Sequence, residues 1–140
     1  MYKTILLTVD LGDAASWQKA LPTAMEIARD SAAALHVLSV VPDYGAALVA
    51  ADFPPDFQKN ALKAAKEKLD ALLDGAGARE AISHVAVGRV HDVVLDHITS
   101  TGADLVVMAS HAPDRVREFL VGSRADRVVR RSPVSVLVVR

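Results

Sequence analysis

Two rhythms of apolar residues alternate along this 140-residue chain. Short runs dense in Val, Ile and Leu occupy residues 3–9, 35–41, 81–87, 104–109 and 134–139. The first is apolar almost throughout, as expected of a strand covered on both faces, and the third alternates more. Between these runs apolar residues recur at helical spacing. The stripes are Trp17, Ala20, Leu21, Ala24, Met25 and Ala28; Leu62, Ala65, Leu69, Leu72 and Leu73; Val90, Val93, Val94, His97 and Ile98; and Ala125, Val128 and Val129. Pro22 lies inside the first stripe and predicts either a kinked helix or one that starts late. Gly75 and Gly77 predict the end of the second helix, and Gly102 the end of the third.

Strands that alternate with helices pair in parallel through right-handed crossovers. The pattern therefore predicts an α/β fold with one doubly wound, five-stranded parallel sheet in the order 3-2-1-4-5. Its length suits one domain, 1–140. Residues 42–55 form the one long connection, a length usually tied to function or mobility. The fifth strand runs from Val134 to Val139 with no charge until Arg140. As a flat apolar sheet edge it invites pairing, and a two-fold partner presenting residues 134–139 would satisfy it. A homodimer through this edge is expected.

Composition narrows the picture. Hydrophobic residues are 51% of the chain and aromatics only 4%, so the core must be built from Ala, Val, Leu and Ile. Without cysteine, disulfides, thiol catalysis and Cys–zinc sites are excluded. A formal charge of −1 argues against general nucleic-acid or membrane-surface binding. The apolar opening is too short for a signal peptide and no 18-residue apolar stretch follows, so a cytoplasmic location is expected. The charge is nevertheless uneven: seven of ten arginines lie at or after position 115. Such a cluster is either a solvated helix face or an anion site near the last loop and helix.

In doubly wound sheets ligands settle beyond the carboxyl ends of the strands, at the switch point. Here that points to the turns after strands one and four. The first offers Asp10-Leu11-Gly12-Asp13, and the second runs from Ser110-His111-Ala112 to Gly122-Ser123. Gly122 would let backbone approach a ligand, and Ser123 opens a helix whose free N–H groups favour an anion. Arg124 and Arg127 in its first turn, with Arg115 and Arg117 before it, suit a polyphosphate. Ser123 and Asp126 also have capping-box spacing, which would occupy some of the same donors. Asp10 and Asp13 could hold Mg²⁺ through phosphates or cap the first helix. His111 could stack on or bond a ligand, while the other histidines lack zinc-ligand spacing.

These residues resemble the universal stress protein family along the whole chain. The resemblance is carried by residues 2–10, Leu35-His36-Val37, Val87-Gly88, Asp104-Leu105-Val106-Val107-Met108-Ala109-Ser110-His111, Leu120-Val121-Gly122-Ser123 and the closing strand. ATP-binding members carry Gly-x2-Gly-x9-Gly-Ser/Thr after strand four, and the matching positions are Ala109, Ala112, Gly122 and Ser123. The Ala-Ser-His-x-Pro-Asp loop looks like a branch associated with ATP without the first two glycines. The resemblance implies an adenosine end at Thr8, Val9, Asp10, Val37 and Met108. It implies phosphates at Ala109, His111, Ala112, Gly122, Ser123, Arg124 and Ala125, the last lacking a hydroxyl found in some members. It thus implies an ATP-binding stress-response module, with Mg²⁺ arriving through the phosphates and catalysis slow or absent. The alternative is a dimeric interaction module without nucleotide, as Ala109 and Ala112 would suit. Neither a Walker lysine nor a Gly-x-Ser-x-Gly elbow occurs, and a phosphoacceptor receiver would need an Asp where Val87-Gly88 stands.

Overall fold

A computed structural model describes residues 1–41, 43, 56–110 and 122–140. Five parallel strands form one sheet in the order β3-β2-β1-β4-β5: β1 (Thr4–Val9), β2 (Ala34–Val41), β3 (Ile82–Val87), β4 (Leu105–Ala109) and β5 (Ser135–Val139). Each strand starts one residue from its predicted start and ends where expected. Helices α1 (Ala20–Ser31) and α2 (Phe57–Gly75) cover one face, and α3 (Val90–Thr101) and α4 (Ser123–Arg131) the other.

Strand alternation sorts the core into these two layers. Ile5, Leu7, Val37 and Val107 point toward α1 and α2, where they meet Leu21, Ala24, Leu69 and Leu73. Leu6, Leu38, Val106 and Met108 point toward α3 and α4, against Val93, Val94, Ile98 and Val128. Nearly all are fully buried, so each large aliphatic contributes on the order of 1.5–3 kcal/mol by leaving water.

The first helix starts late. Asp13 caps a short 3₁₀ turn, Ala14–Ser16, and α1 follows at Ala20, leaving Trp17 outside it. Pro22 then falls in the first turn, where its missing N–H costs least. The third helix ends at Gly102 with φ 71°, as expected of a left-handed terminus. At the amino end of the sheet the Asp104 carboxylate accepts from the backbone N–H groups of Lys3, at 2.9 Å, and Thr4, at 3.0 Å. This fastens β4 to β1. On the outer flank Ser83 of β3 hydrogen-bonds Lys66 and Asp70 of α2, holding that helix to the sheet edge. Among the described residues no helix is long and apolar enough to cross a membrane.

Candidate functional site

β1 and β4 are neighbours, yet their crossovers leave on opposite faces, so a cleft opens beyond their carboxyl ends. Its volume is about 620 Å³. Thr8, Val9 and Asp10 line it from β1, Met108 and Ala109 from β4, and Gly122, Ser123, Arg124 and Ala125 from the start of α4. The first turn singled out in the sequence and the described start of α4 therefore converge on one concavity.

Local chemistry fixes each wall. Asp10 is anchored at several points: its N–H donates to Ser16 Oγ at 2.8 Å, and its Oδ1 accepts from Gly12 N at 3.0 Å. Its Oδ2 lies 3.4 Å from Arg124 Nη1, across the cleft mouth. Asp13 Oδ1 accepts from Ala15 N at 3.1 Å, so this carboxylate caps the 3₁₀ turn. Opposite, Gly122 is buried and precedes α4 with φ −57° and ψ 151°, and among the described residues no side chain caps the helix. Ala125, 2% exposed, forms the floor beside Val128.

The competing capping-box arrangement of Ser123 and Asp126 is not formed. Ser123 is the first helical residue rather than the cap, and Asp126 turns away to pair with Arg130 at 3.0 Å. The reason is geometric: a carboxylate four residues before an arginine meets it one turn along the helix surface. Among the described residues no side chain takes the first-turn N–H groups of α4, which face the cleft with the positive end of the helix dipole. Gly122 has a negative φ, so its place here does not depend on a left-handed conformation.

Val37 is placed differently from its expected role. It is fully buried between the sheet and the α1–α2 layer, and β2 reaches the cleft through Val40 instead. Side chains on successive strand residues alternate faces, and Val37 also lies well before the strand's carboxyl end. His111 and Ala112, with Arg115 and Arg117, lie outside the described residues.

One wall was missed entirely. Gly88, Arg89, Val90 and His91, at the junction of β3 and α3, line the cleft together with Ser16 and Arg127. Gly88 N donates to Val41 O at 3.1 Å, which draws this junction over the end of β2. Gly88 also has φ +146°, a conformation that glycine adopts readily and side-chain-bearing residues rarely. The available signal was Val87-Gly88 just before a helical stripe, one strand removed from the turns considered. Among the described lining residues the charged groups are Asp10, Asp13, Arg89, Arg124 and Arg127. Among the described residues no three His, Asp or Glu side chains converge to hold a metal ion.

Comparison with known proteins agrees with this architecture. A profile described as Universal stress protein family matches residues 1–140. Universal stress protein G of Escherichia coli O157:H7 is 33% identical over 148 residues, covering all of both chains. A putative universal stress protein of Staphylococcus saprophyticus is 31% identical, covering 99% of this chain and 84% of its own. Among solved structures, a universal stress protein in complex with cAMP is 27% identical, with a TM-score of 0.65 over 99% of this chain and 97% of its own. Universal stress protein UspA from Lactobacillus plantarum shares the fold with a TM-score of 0.72 at 24% identity, over 99% and 98% of the two chains. With sheet order, cleft and whole-length similarity in accord, the chain belongs to the universal stress protein family.

Proposed function

We propose that the cleft binds an adenine nucleotide, ATP in the first instance, and that the protein acts as a stress-response binding module without committed catalysis. The observation that carries this reading is the uncapped start of α4 opening into a cleft walled by the ends of β1 and β4. Backbone N–H groups at a helix start favour phosphate, and the arginines at positions 124 and 127 add charge. Thr8, Val9, Val40 and Met108 offer a largely apolar wall for the base. The related protein solved with cAMP supports a nucleotide as the ligand class. Mg²⁺ would arrive through the phosphates, since Asp10 and Asp13 already accept hydrogen bonds from the chain. Calorimetry with ATP and Mg²⁺ tests the reading; an absence of heat at millimolar ligand rejects it.

Self-association through β5 belongs to the same proposal. β5 pairs with β4 on one side and ends the sheet on the other. Val136, Leu137, Val138 and Val139 along it are only partly buried. Sedimentation at micromolar concentration is expected to show twice the 14.9 kDa chain mass. A second reading, an interaction module that has lost nucleotide, is favoured by Ala109 at the first glycine position and by Asp10 already holding Arg124. Under that reading Arg124→Glu leaves ATP binding as it was.

A further inference from the structure

Away from the cleft, three imidazoles meet between the sheet and α3. His36 of β2 and His84 of β3 project from adjacent strands, with Nδ1 and Nε2 2.8 Å apart and stacked rings whose centroids are 5.1 Å apart. His97 of α3 meets His84 edge-on at 5.5 Å, and its Nδ1 lies 2.8 Å from the Val93 carbonyl oxygen. The His36–His84 contact needs one proton between the facing nitrogens. When both rings are fully protonated, two N–H groups stand head to head and the bond is lost.

Among the described residues little offsets such charge. β1, β2 and β3 carry no titratable side chains besides His36 and His84, and from α2 come the cationic Lys66 and, paired with it at 3.8 Å, Asp70, which bonds Ser83 rather than an imidazole. On α3, Asp96 is exposed and Asp92 pairs with His91 at 3.3 Å. Burial pushes His36 below its usual 6.5; burial first, then the charges of His36, His97 and Lys66, push His84 down. A depressed histidine favours the neutral folded form. Its contribution is therefore complete above about pH 6.5 and is lost as the pH falls from there through the lower folded value.

Contact continues from this trio to the cleft. Val93, whose carbonyl holds His97, places Cγ2 2.9 Å from where a β-carbon on Gly88 would stand, and Gly88 lines the cleft. We propose that His36, His84 and His97 form a proton-responsive latch joining β2, β3 and α3, and that protonating it displaces the cleft wall at residues 88–91. Its consequence for ligand affinity rests on the nucleotide reading; the displacement itself does not.

The test is an NMR titration of the full chain from about pH 8 to about pH 5, following the histidine rings and the Gly88 and Val90 amides. The His84 ring is expected to titrate below 6.5, with both amides moving at its midpoint. His84→Asn and His97→Gln should each remove that component of the amide movement. Amides that stay still in the wild type, or that move as far in both variants as in the wild type, overturn the latch. Should His84→Asn fail to fold, His36→Gln makes the same test, and the wild-type titration stands alone. With ATP as probe, acidification should weaken binding about fivefold more in the wild type than in His84→Asn, the low end of common couplings. An equal pH response sinks the link to the ligand. Absence of ATP binding at any pH removes the nucleotide reading alone, and the amides then decide the latch.

Discussion

Arg124 reaches across the cleft mouth to Asp10, with Nη1 3.4 Å from Oδ2, and so joins the first turn of α4 to the end of β1. Both side chains are well exposed, at 65% and 47%. Exposed pairs of this kind contribute under about 1 kcal/mol, so Arg124→Ala should scarcely change the denaturant midpoint. A hydrogen bond from arginine to phosphate is stronger, roughly 1.5–3 kcal/mol, which corresponds to about a tenfold or greater loss of ATP affinity. Paired unfolding and calorimetric titrations separate the two effects. A variant that is clearly less stable yet binds as well as before would make Arg124 a strut rather than a ligand contact.

Gly88 sets the position of the wall opposite. At φ +146° any side chain is strained, and an added β-carbon would stand 2.9 Å from Val93 Cγ2. Strain of this kind costs on the order of 1–3 kcal/mol. Gly88→Ala should therefore lower stability by about that amount and weaken ligand binding beyond what the stability loss explains. Chemical unfolding with unchanged m-value, followed by titration of the folded fraction, measures both. Full stability in the variant would mean that the junction relaxes without cost.

Asp104 supplies a pH dependence of the same sign as that of the histidines, in a more acidic window. The backbone N–H of Lys3, then that of Thr4, hold its carboxyl below the usual carboxylate value. A depressed carboxyl stabilises the fold above its unfolded pKa, and that stability is lost as pH falls through the lower folded value. Asp104→Asn should melt below the wild type near about pH 7, and the gap should narrow as the pH drops below about 4. A gap that is constant from neutral pH to acid would show that the amide replaces the carboxylate's role or that the contact contributes through packing alone.

The strands were legible because burial on both faces leaves nearly continuous apolar runs, such as Ile5-Leu6-Leu7, that tolerate little else. Leu69 and Leu73 likewise marked the buried stripe of α2. The cleft was half legible: Asp10 follows the end of β1 and Gly122 opens the helix after β4, places to which topology alone directs attention. Val37 misled because a resemblance assigns a position without the pleat, which here turns that side chain into the core. Arg89 and His91 were overlooked for another reason. Their place in the wall depends on the Gly88–Val41 hydrogen bond that folds the β3–α3 junction over the sheet, a tertiary contact with no local signature. The Ser123–Asp126 spacing fits a cap and an exposed i,i+4 pair with Arg130 equally well, and only the backbone at Gly122 decides between them.

The end of α1 offers a stabilising change. Ala32 is the non-glycine residue at positive φ among the described residues, with φ 53° and ψ 40°, and its N–H closes the helix onto the Ala28 and Arg29 carbonyls. The next residue returns a further bond, Ala33 N to Ala28 O at 2.8 Å, so the left-handed turn is fixed by two consecutive donors. Holding alanine in this region costs roughly 1–2 kcal/mol, a cost glycine does not bear. Glycine in turn gives the unfolded chain more freedom, opposing the gain by about 0.4–1 kcal/mol. The difference favours the folded state, and Ala32→Gly should raise stability by about 0.5–1 kcal/mol. Ala32 lies at the opposite end of the β1–α1 unit from the cleft, so ligand affinity should stay as it was. Urea unfolding of the two proteins under one set of conditions measures the change. A lower midpoint in the glycine variant would mean that the methyl group at position 32 packs better than the left-handed backbone strains it.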